Sequence, residues 1–132
     1  MERWLGPHGE RLFALFRIVL GVLFASHGAQ KLFGAFGGKV TSDPLLFTAG
    51  VVELVCGVLV ALGLLTSWAA FLASGQMAIA YFKVHAPQGF WPLVNRGELA
   101  ALYCFAFLYI AARGGGPYAV DAGLRRRPAM MP

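Results

Sequence analysis

The chain has 132 residues, of which 58% are hydrophobic and only 13% are charged, about half the charged share of a soluble domain. Its 11 Lys and Arg against 6 Asp and Glu give a net charge of +5, but the basic residues lie at the ends of apolar runs, as in membrane proteins. The composition excludes an ordinary cytosolic domain, a disordered chain and a nucleic-acid-binding module. It indicates a single domain, residues 1–132, that lies in the lipid bilayer.

Four apolar segments, at about residues 12–33, 45–65, 68–84 and 93–112, predict four membrane-spanning helices. A backbone in lipid must satisfy its polar groups internally, so these segments are expected to be helical. Only Thr66-Ser67 separates the second and third segments, which makes them antiparallel neighbours. The expected fold is an all-α membrane protein, an antiparallel bundle of four transmembrane helices.

Helix breakers agree with this division. Ser42-Asp43-Pro44 predicts an N-cap followed by proline in the first turn of the second helix. Glycine runs at 34–38 and 114–116 predict the ends of the first and last helices. The cluster Arg125-Arg126-Arg127 favours both termini in the cytoplasm, hence the inner (plasma) membrane of a bacterium-like cell. We expect the first segment to be retained rather than cleaved as a signal peptide, because its apolar run is long and continues through His27.

Polar side chains inside these segments are the most informative feature, because each ionisable group in the bilayer costs about 2.5–3.5 kcal/mol. With the N-terminus inside, His27 and Glu53 lie roughly 9–12 Å beneath the outer surface. Most of the others converge on the same outer half, whereas Arg17 belongs to the inner half. The set comprises Arg17, His27, Lys31, Glu53, Gln76, Lys83, His85 and Glu98.

We predict catalytic roles for His27 and Glu53; the alternative is a buried pair that only stabilises the helices. Lys31 and Gln76 are predicted ligand contacts, and Gln76 shares a helix face with Lys83. Arg17 is a further candidate, unless it snorkels to the headgroups or binds a backbone carbonyl.

Four further residues have alternative interpretations. Lys83 at a helix end is interpreted as a snorkelling anchor, and His85, on the opposite side of the third helix, as a loop residue. Cys56 and Cys104 have no CxxC spacing and are interpreted as packing residues, the alternative being a redox-active pair.

The segment His27–Gly34, HGAQKLFG, resembles the HGxxKLFG signature of the DoxX family. Glu53 with Gly57, His85, the run from Phe90 to Glu98 (FWPLVNRGE) and the closing GGGPYAVD fit the same pattern. Arg96 departs from it, because the family usually has a small residue there. The resemblance covers the chain from about residue 17 to 121.

This resemblance implies a small inner-membrane protein of four helices, described as an oxidoreductase. Relatives include the DoxD-type membrane subunit of a thiosulfate:quinone oxidoreductase and membrane partners in complexes that handle thiol or sulfur oxidative stress. It adds His85, Trp91, Asn95 and Glu98 to the predicted ligand-binding residues.

Three functions remain open at this stage. The first is a quinone-interacting redox subunit, with quinone as cofactor and a separate electron donor, because no haem, flavin or iron–sulfur motif is visible. The second is a non-catalytic scaffold or assembly factor with a protein partner or a second copy of the chain. The third is a small transporter or metal-handling protein, in which His27, Glu53, His85 and Glu98 could form a nitrogen–oxygen metal site. The helical geometry separates His85 from His27 and argues against that site, so no metal ligand is included among the predicted site residues.

Overall fold

The computed structural model describes residues 1–126, a range that excludes Arg127 of the C-terminal arginine cluster, and this part of the chain contains helices and no β-strand. Short turns of 3-10 helix at Gly6–His8 and Ala35–Gly37 accompany the α-helices. The α-helices are α1 (Glu2–Leu5), α2 (Gly9–Phe33), α3 (Pro44–Leu62), α4 (Thr66–Ala80), α5 (Pro92–Asn95), α6 (Glu98–Arg113) and α7 (Val120–Arg125).

Helices α2 and α3 are antiparallel and touch through their backbones. A Cβ atom added to Gly21 would lie 2.6 Å from the Ala61 nitrogen, and one added to Gly57 would lie 2.5 Å from the Ala25 nitrogen. Glycine is therefore required at both contacts, as in other close helix pairs of membrane proteins.

Helices α4 and α6 form a second antiparallel pair, and aromatic rings join this pair to α2. The Ser74 hydroxyl on α4 donates a hydrogen bond to the Cys104 carbonyl on α6 at 2.7 Å. The Phe24 ring of α2 lies 4.7 Å from Phe107 and 5.4 Å from Tyr103, measured between centroids. Phe24 and Phe107 are fully buried, so this cluster is the centre of the core.

The predicted end of the first helix and the predicted start of the second are confirmed, and the turn between the second and third is displaced. Asp43 accepts a hydrogen bond from the Leu45 N–H at 2.8 Å, with Pro44 as the first residue of α3. Gly34 ends α2 with a left-handed φ of 68°. The turn is Gly63–Leu65 rather than Thr66-Ser67, because Gly63 adopts a left-handed φ of 74° and already ends α3.

The predicted fourth helix does not begin at residue 93 as one continuous segment. Its first turn is the separate helix α5, and Arg96, with φ 59° and ψ 24°, interrupts the helix before α6 begins at Glu98. The third helix continues from α4 through a π-helical turn, Tyr81–His85, and then a 3-10 turn, Ala86–Gln88.

Two helical segments in the described residues are long and apolar enough to cross a membrane by length and composition. They are Glu2–Phe33 and Pro44–Leu62, with mean hydropathies of 1.8 and 2.4. Large apolar side chains on the other long helices also point outward, among them Phe71 of α4 and Leu102 and Phe105 of α6. Outward-facing apolar surface of this kind suits contact with lipid.

Candidate functional site

A cavity of about 750 Å³ lies between α2, α3, α4 and α6. Its size is typical of pockets that bind small molecules. Most of its surface is apolar, with walls that include Phe24, Leu46, Val52, Leu72 and Ala100. The polar side chains in its lining are His27, Lys31, Thr48, Glu53, Gln76, Lys83, His85, Arg96 and Tyr103.

Glu53 is the centre of the polar cluster. Its carboxylate is only 3% exposed, and it accepts hydrogen bonds from Lys31 Nζ at 2.5 and 2.6 Å. Gln76 Nε2 donates a third bond to Glu53 Oε1 at 2.9 Å. One carboxylate thus links α2, α3 and α4, and the ammonium group neutralises its charge.

The Gln76 side chain retains an unused acceptor. Its Nε2 must face Glu53, because the amide oxygen in that position would repel the carboxylate. Its Oε1 is buried and has no hydrogen-bond partner among residues 1–126. A buried acceptor without a partner costs about 1–3 kcal/mol, and a ligand that donates a hydrogen bond here would remove that cost.

His27 lines the cavity one helical turn before Lys31, but Lys31 rather than His27 forms the pair with Glu53. The imidazole packs edge-on against Tyr103 with 6.1 Å between ring centroids, and no hydrogen bond joins it to Glu53 within residues 1–126. Gly50 faces the Lys31 Cβ, which leaves room for the lysine stem beside α3. The buried pair is therefore Lys31–Glu53 and not the His27–Glu53 pair of the alternative interpretation, and His27 is a separate residue of the cavity lining.

The same cavity is also lined by Lys83, His85 and Arg96. Of these, only His85 is among the ligand contacts predicted from the sequence. Gln76 and His85 would face opposite sides of a regular α-helix with 100° per residue. The π-helical turn Tyr81–His85 changes that phase, and the expectation that His85 points away from the cavity is wrong. His85 Nδ1 lies 3.1 Å from the Asn95 carbonyl oxygen.

Asn95 is nearly fully buried and holds the loop between α4 and α6 rather than lining the cavity. Its Nδ2 donates to the Gly89 carbonyl at 2.7 Å and to the Tyr81 hydroxyl at 3.1 Å. Its Oδ1 accepts from the Gly97 N–H at 2.8 Å. All its polar atoms are used, so it positions the loop.

Two other predicted ligand contacts, Trp91 and Glu98, also lie outside the cavity lining. The Trp91 side chain is largely exposed, and Glu98 is exposed in the first turn of α6. Both belong to the loop and helix start that surround the cavity, and their ligand roles stay predictions.

Arg17 is buried away from the cavity lining. Its Nη1 donates to the carbonyls of Val60 and Ala61 at 2.6 and 2.7 Å, and its Nη2 to that of Tyr118 at 3.3 Å. Val60 and Ala61 lie in the last turn of α3, and Tyr118 lies in the segment before α7. Arg17 thus binds backbone carbonyls, which is one of the two alternative interpretations given above.

Asp121 has a structural role that the sequence patterns did not indicate. It accepts hydrogen bonds from the N–H groups of Leu65 and Thr66 at 2.9 and 3.0 Å and from the Thr66 hydroxyl at 2.8 Å, which caps α4. Burial acts to raise the pKa of this carboxyl, but the hydrogen bonds from Thr66 and Leu65 outweigh burial and hold the pKa below its usual value. More than 50 residues separate the partners, so no local motif signals the contact.

Within residues 1–126, no three His, Cys, Asp or Glu side chains are grouped so as to hold a metal ion. Both cysteines are free thiols, Cys56 buried and Cys104 half-buried. The cavity offers amine, guanidinium, amide, imidazole, hydroxyl and phenol groups around one carboxylate.

Apolar outward-facing helices around a partly polar cavity define a helical membrane protein. The model of the DoxX family matches residues 12–86, and the chain belongs to this family. An uncharacterized protein of Haemophilus influenzae is 43% identical over 116 residues, which cover 82% of this chain and 87% of the relative. An uncharacterized membrane protein of Mycobacterium tuberculosis is 30% identical, over 95% of this chain and 88% of the relative. No solved structure matches the chain.

Proposed function

We propose that this DoxX family protein is a redox-linked subunit of the bacterial plasma membrane whose cavity binds the headgroup of a quinone. It crosses the bilayer four times with both termini in the cytoplasm, so the cavity lies in the outer half of the membrane. The third and fourth spans are α4 with its π-helical turn and α5 with α6, Thr66–His85 and Pro92–Arg113. Each approaches the ~20 residues that cross a bilayer core.

The observation that carries the proposal is the buried cluster of Lys31, Glu53 and Gln76 on the wall of an apolar cavity. A quinone headgroup needs hydrogen-bond donors at its carbonyls and a nearby proton acceptor, and its isoprenoid tail needs apolar walls. The cavity offers both kinds of surface, and its volume suits a small-molecule headgroup.

Each polar residue has a distinct part in this proposal. The Lys31 ammonium and the Tyr103 hydroxyl donate hydrogen bonds into the cavity, and the free Gln76 Oε1 accepts one. Among residues 1–126, Lys31 alone donates a hydrogen bond to Glu53 Oε2, so this oxygen retains a lone pair that can hold a proton. The His27 ring can carry a proton at either nitrogen.

A bound quinone would supply the two-electron, two-proton chemistry, and a separate protein or small molecule would supply the electrons.

Mass spectrometry of an organic extract tests this proposal. Protein purified gently from bacterial membranes is compared with Glu53→Gln, His27→Ala and the pair Lys31→Met with Glu53→Gln, at equal lipid content. We expect isoprenoid quinone at near one per chain in wild type and at least a tenfold loss in the Glu53 variants. Ser26→Ala is the control, because Ser26 neighbours His27 but bonds only to the Val22 carbonyl of its own helix.

Quinone binding would be contradicted if wild type contained no quinone, or if wild type and Glu53→Gln contained equal amounts. If quinone binding fails in this way and the double variant still lowers the unfolding temperature, the cluster serves to fix the helices, as expected of a membrane scaffold or assembly partner.

A further inference from the structure

The charge of the cavity lining is strongly asymmetric. Three cationic side chains, Lys31, Lys83 and Arg96, contribute to it together with a single carboxylate, Glu53. Lys31 is used in the ion pair with Glu53, and Gln76 satisfies a further acceptor site of the same carboxylate. The inner part of the cavity is therefore close to neutral, and the positive charge that remains belongs to the other two residues.

Lys83 and Arg96 have no carboxylate within 4.0 Å in the part of the chain that the structure describes. The ion pairs there join Lys31 to Glu53 and Arg113 to Glu10. Glu98, the acidic residue nearest to Arg96 in sequence, does not line the cavity. Both cations are exposed, and we call the part of the cavity that they line its mouth. Their charges are available there to bind a negatively charged group.

Arg96 occupies a backbone position that would suit glycine better. Its φ of 59° is left-handed, a conformation that costs free energy for a residue with a side chain. The residues on both sides of Arg96 are held in place: the Asn95 side chain bonds to the Gly89 carbonyl and the Gly97 N–H, and a Cβ on Gly97 would lie 2.7 Å from Asn95 Oδ1. A guanidinium group at a strained position beside a cavity indicates a use for that side chain.

We propose that Lys83 and Arg96 form a site for the phosphate headgroup of an amphiphile whose hydrocarbon chain lies against the apolar cavity walls. The Arg fork and the Lys ammonium are the side chains that proteins use for phosphate. The mostly apolar lining selects a ligand with a hydrocarbon chain over inorganic phosphate. This site uses residues other than the Lys31–Glu53–Gln76 cluster and stands without the quinone proposal.

Native mass spectrometry of the full chain in a neutral maltoside detergent tests the site. Phosphatidylglycerol and phosphatidylcholine with identical acyl chains are added in equal amounts, so that the net charge of the headgroup is the main difference. We expect wild type to retain phosphatidylglycerol at least tenfold over phosphatidylcholine. Arg96→Gly and Lys83→Gln should each reduce that preference about threefold or more, and the double variant should abolish it.

Lys39→Gln is the matched control, because Lys39 is exposed in the loop between α2 and α3 and lies outside the cavity lining. Removal of its charge should leave the preference unchanged. Arg96→Gly relieves backbone strain, so a folded variant with a reduced preference is expected, and its unfolding temperature is measured alongside. An equal loss in Lys39→Gln, or no preference in wild type, would overturn the proposal.

Two competitors separate a lipid headgroup from free phosphate. Dodecyl phosphate should displace phosphatidylglycerol at micromolar concentration, and inorganic phosphate should fail to do so at millimolar concentration. Displacement by inorganic phosphate alone would overturn the role of the apolar walls. Quinone is measured in separate preparations to which no phospholipid has been added, because both ligands would use the apolar walls of the same cavity. Failure of one proposal is then distinguishable from failure of the other.

Discussion

The two ends of the helix assembly use buried polar residues in opposite ways. At the closed end, defined by Arg17, Thr66 and Asp121, charged groups bond to backbone atoms of other segments. At the cavity end, defined by Lys31, Glu53 and Gln76 with the mouth residues Lys83 and Arg96, the groups bond to one another or face the cavity.

The difference separates polar residues that build the fold from those that are available to a ligand. A side chain that donates to backbone carbonyls, as Arg17 does, stabilises one arrangement of helices. A side chain with an unused acceptor beside a cavity, as Gln76 has, stabilises the protein less and leaves an interaction for another molecule.

The largest stability effect is expected at Arg17. Arg17→Met removes a guanidinium that bonds to three carbonyls and leaves two helix-end acceptors buried, so the free energy of unfolding should fall by about 3 kcal/mol. Arg17→Lys keeps the charge without the fork and should recover part of that loss. Denaturant titration in mixed micelles measures both, and a Met variant as stable as wild type would refute the structural role of this end.

Asp121→Ala should cost about 1–2 kcal/mol, because it removes the cap of α4. The folded-state pKa of Asp121 is lowered, so its contribution is fully present above the unfolded pKa of about 3.9. The contribution is lost as the pH falls through the lower pKa of the folded protein. Unfolding temperatures from pH 6 to pH 2 should therefore fall more steeply in wild type than in Asp121→Asn, and parallel curves would contradict the cap.

At the cavity end, Glu53→Gln should destabilise the protein by only about 1 kcal/mol, because the new amide oxygen can still accept one hydrogen bond and the Lys31 side chain, which is 30% exposed, can turn its ammonium into the open cavity instead of being left buried without a partner. The same variant should lose most bound quinone. Glu53→Gln therefore combines a small effect on stability with a large effect on ligand binding, whereas the effect expected at Arg17 is a large loss of stability. A stability loss as large as that of Arg17→Met would assign the cavity cluster to the fold.

The smallest effect is expected at Arg96. Arg96→Gly relieves a left-handed backbone and should leave the protein unchanged or more stable by up to about 1 kcal/mol, since greater freedom of glycine in the unfolded chain offsets part of the gain. Thermal unfolding with and without added phosphatidylglycerol measures it. A clear destabilisation without lipid would show that the Arg96 side chain packs against the protein itself.

The helical character and some helix ends could be predicted because they follow from local rules. Apolar run length gave α2 and α3, and Asp43 and Gly34 mark their ends through residue-specific backbone preferences. The breaks near Arg96 and Tyr81 could not be predicted, since tertiary contacts from Asn95 hold the loop there and the π-helical turn has no local sequence signature.

Depth along the helices predicted that His27, Lys31, Glu53 and Gln76 lie in the same half of the helix bundle. The structure brings these four residues together in the lining of one cavity. Depth did not identify the partner of Glu53, because the Lys31–Glu53 contact depends on where the glycines allow α2 and α3 to approach. It also did not assign Asp121 to α4, because that contact joins segments distant in sequence.

Quinone-induced thermal stabilisation tests the central difference between the two ends most directly. A short-chain quinone is titrated into wild type, Glu53→Gln and Asp121→Asn, and the unfolding temperature is recorded; a ligand that binds only the folded state at 100 times its Kd adds about 2.7 kcal/mol. We expect the same upward shift in wild type and Asp121→Asn and no shift in Glu53→Gln. A shift of equal size in all three proteins, or in none, would contradict it.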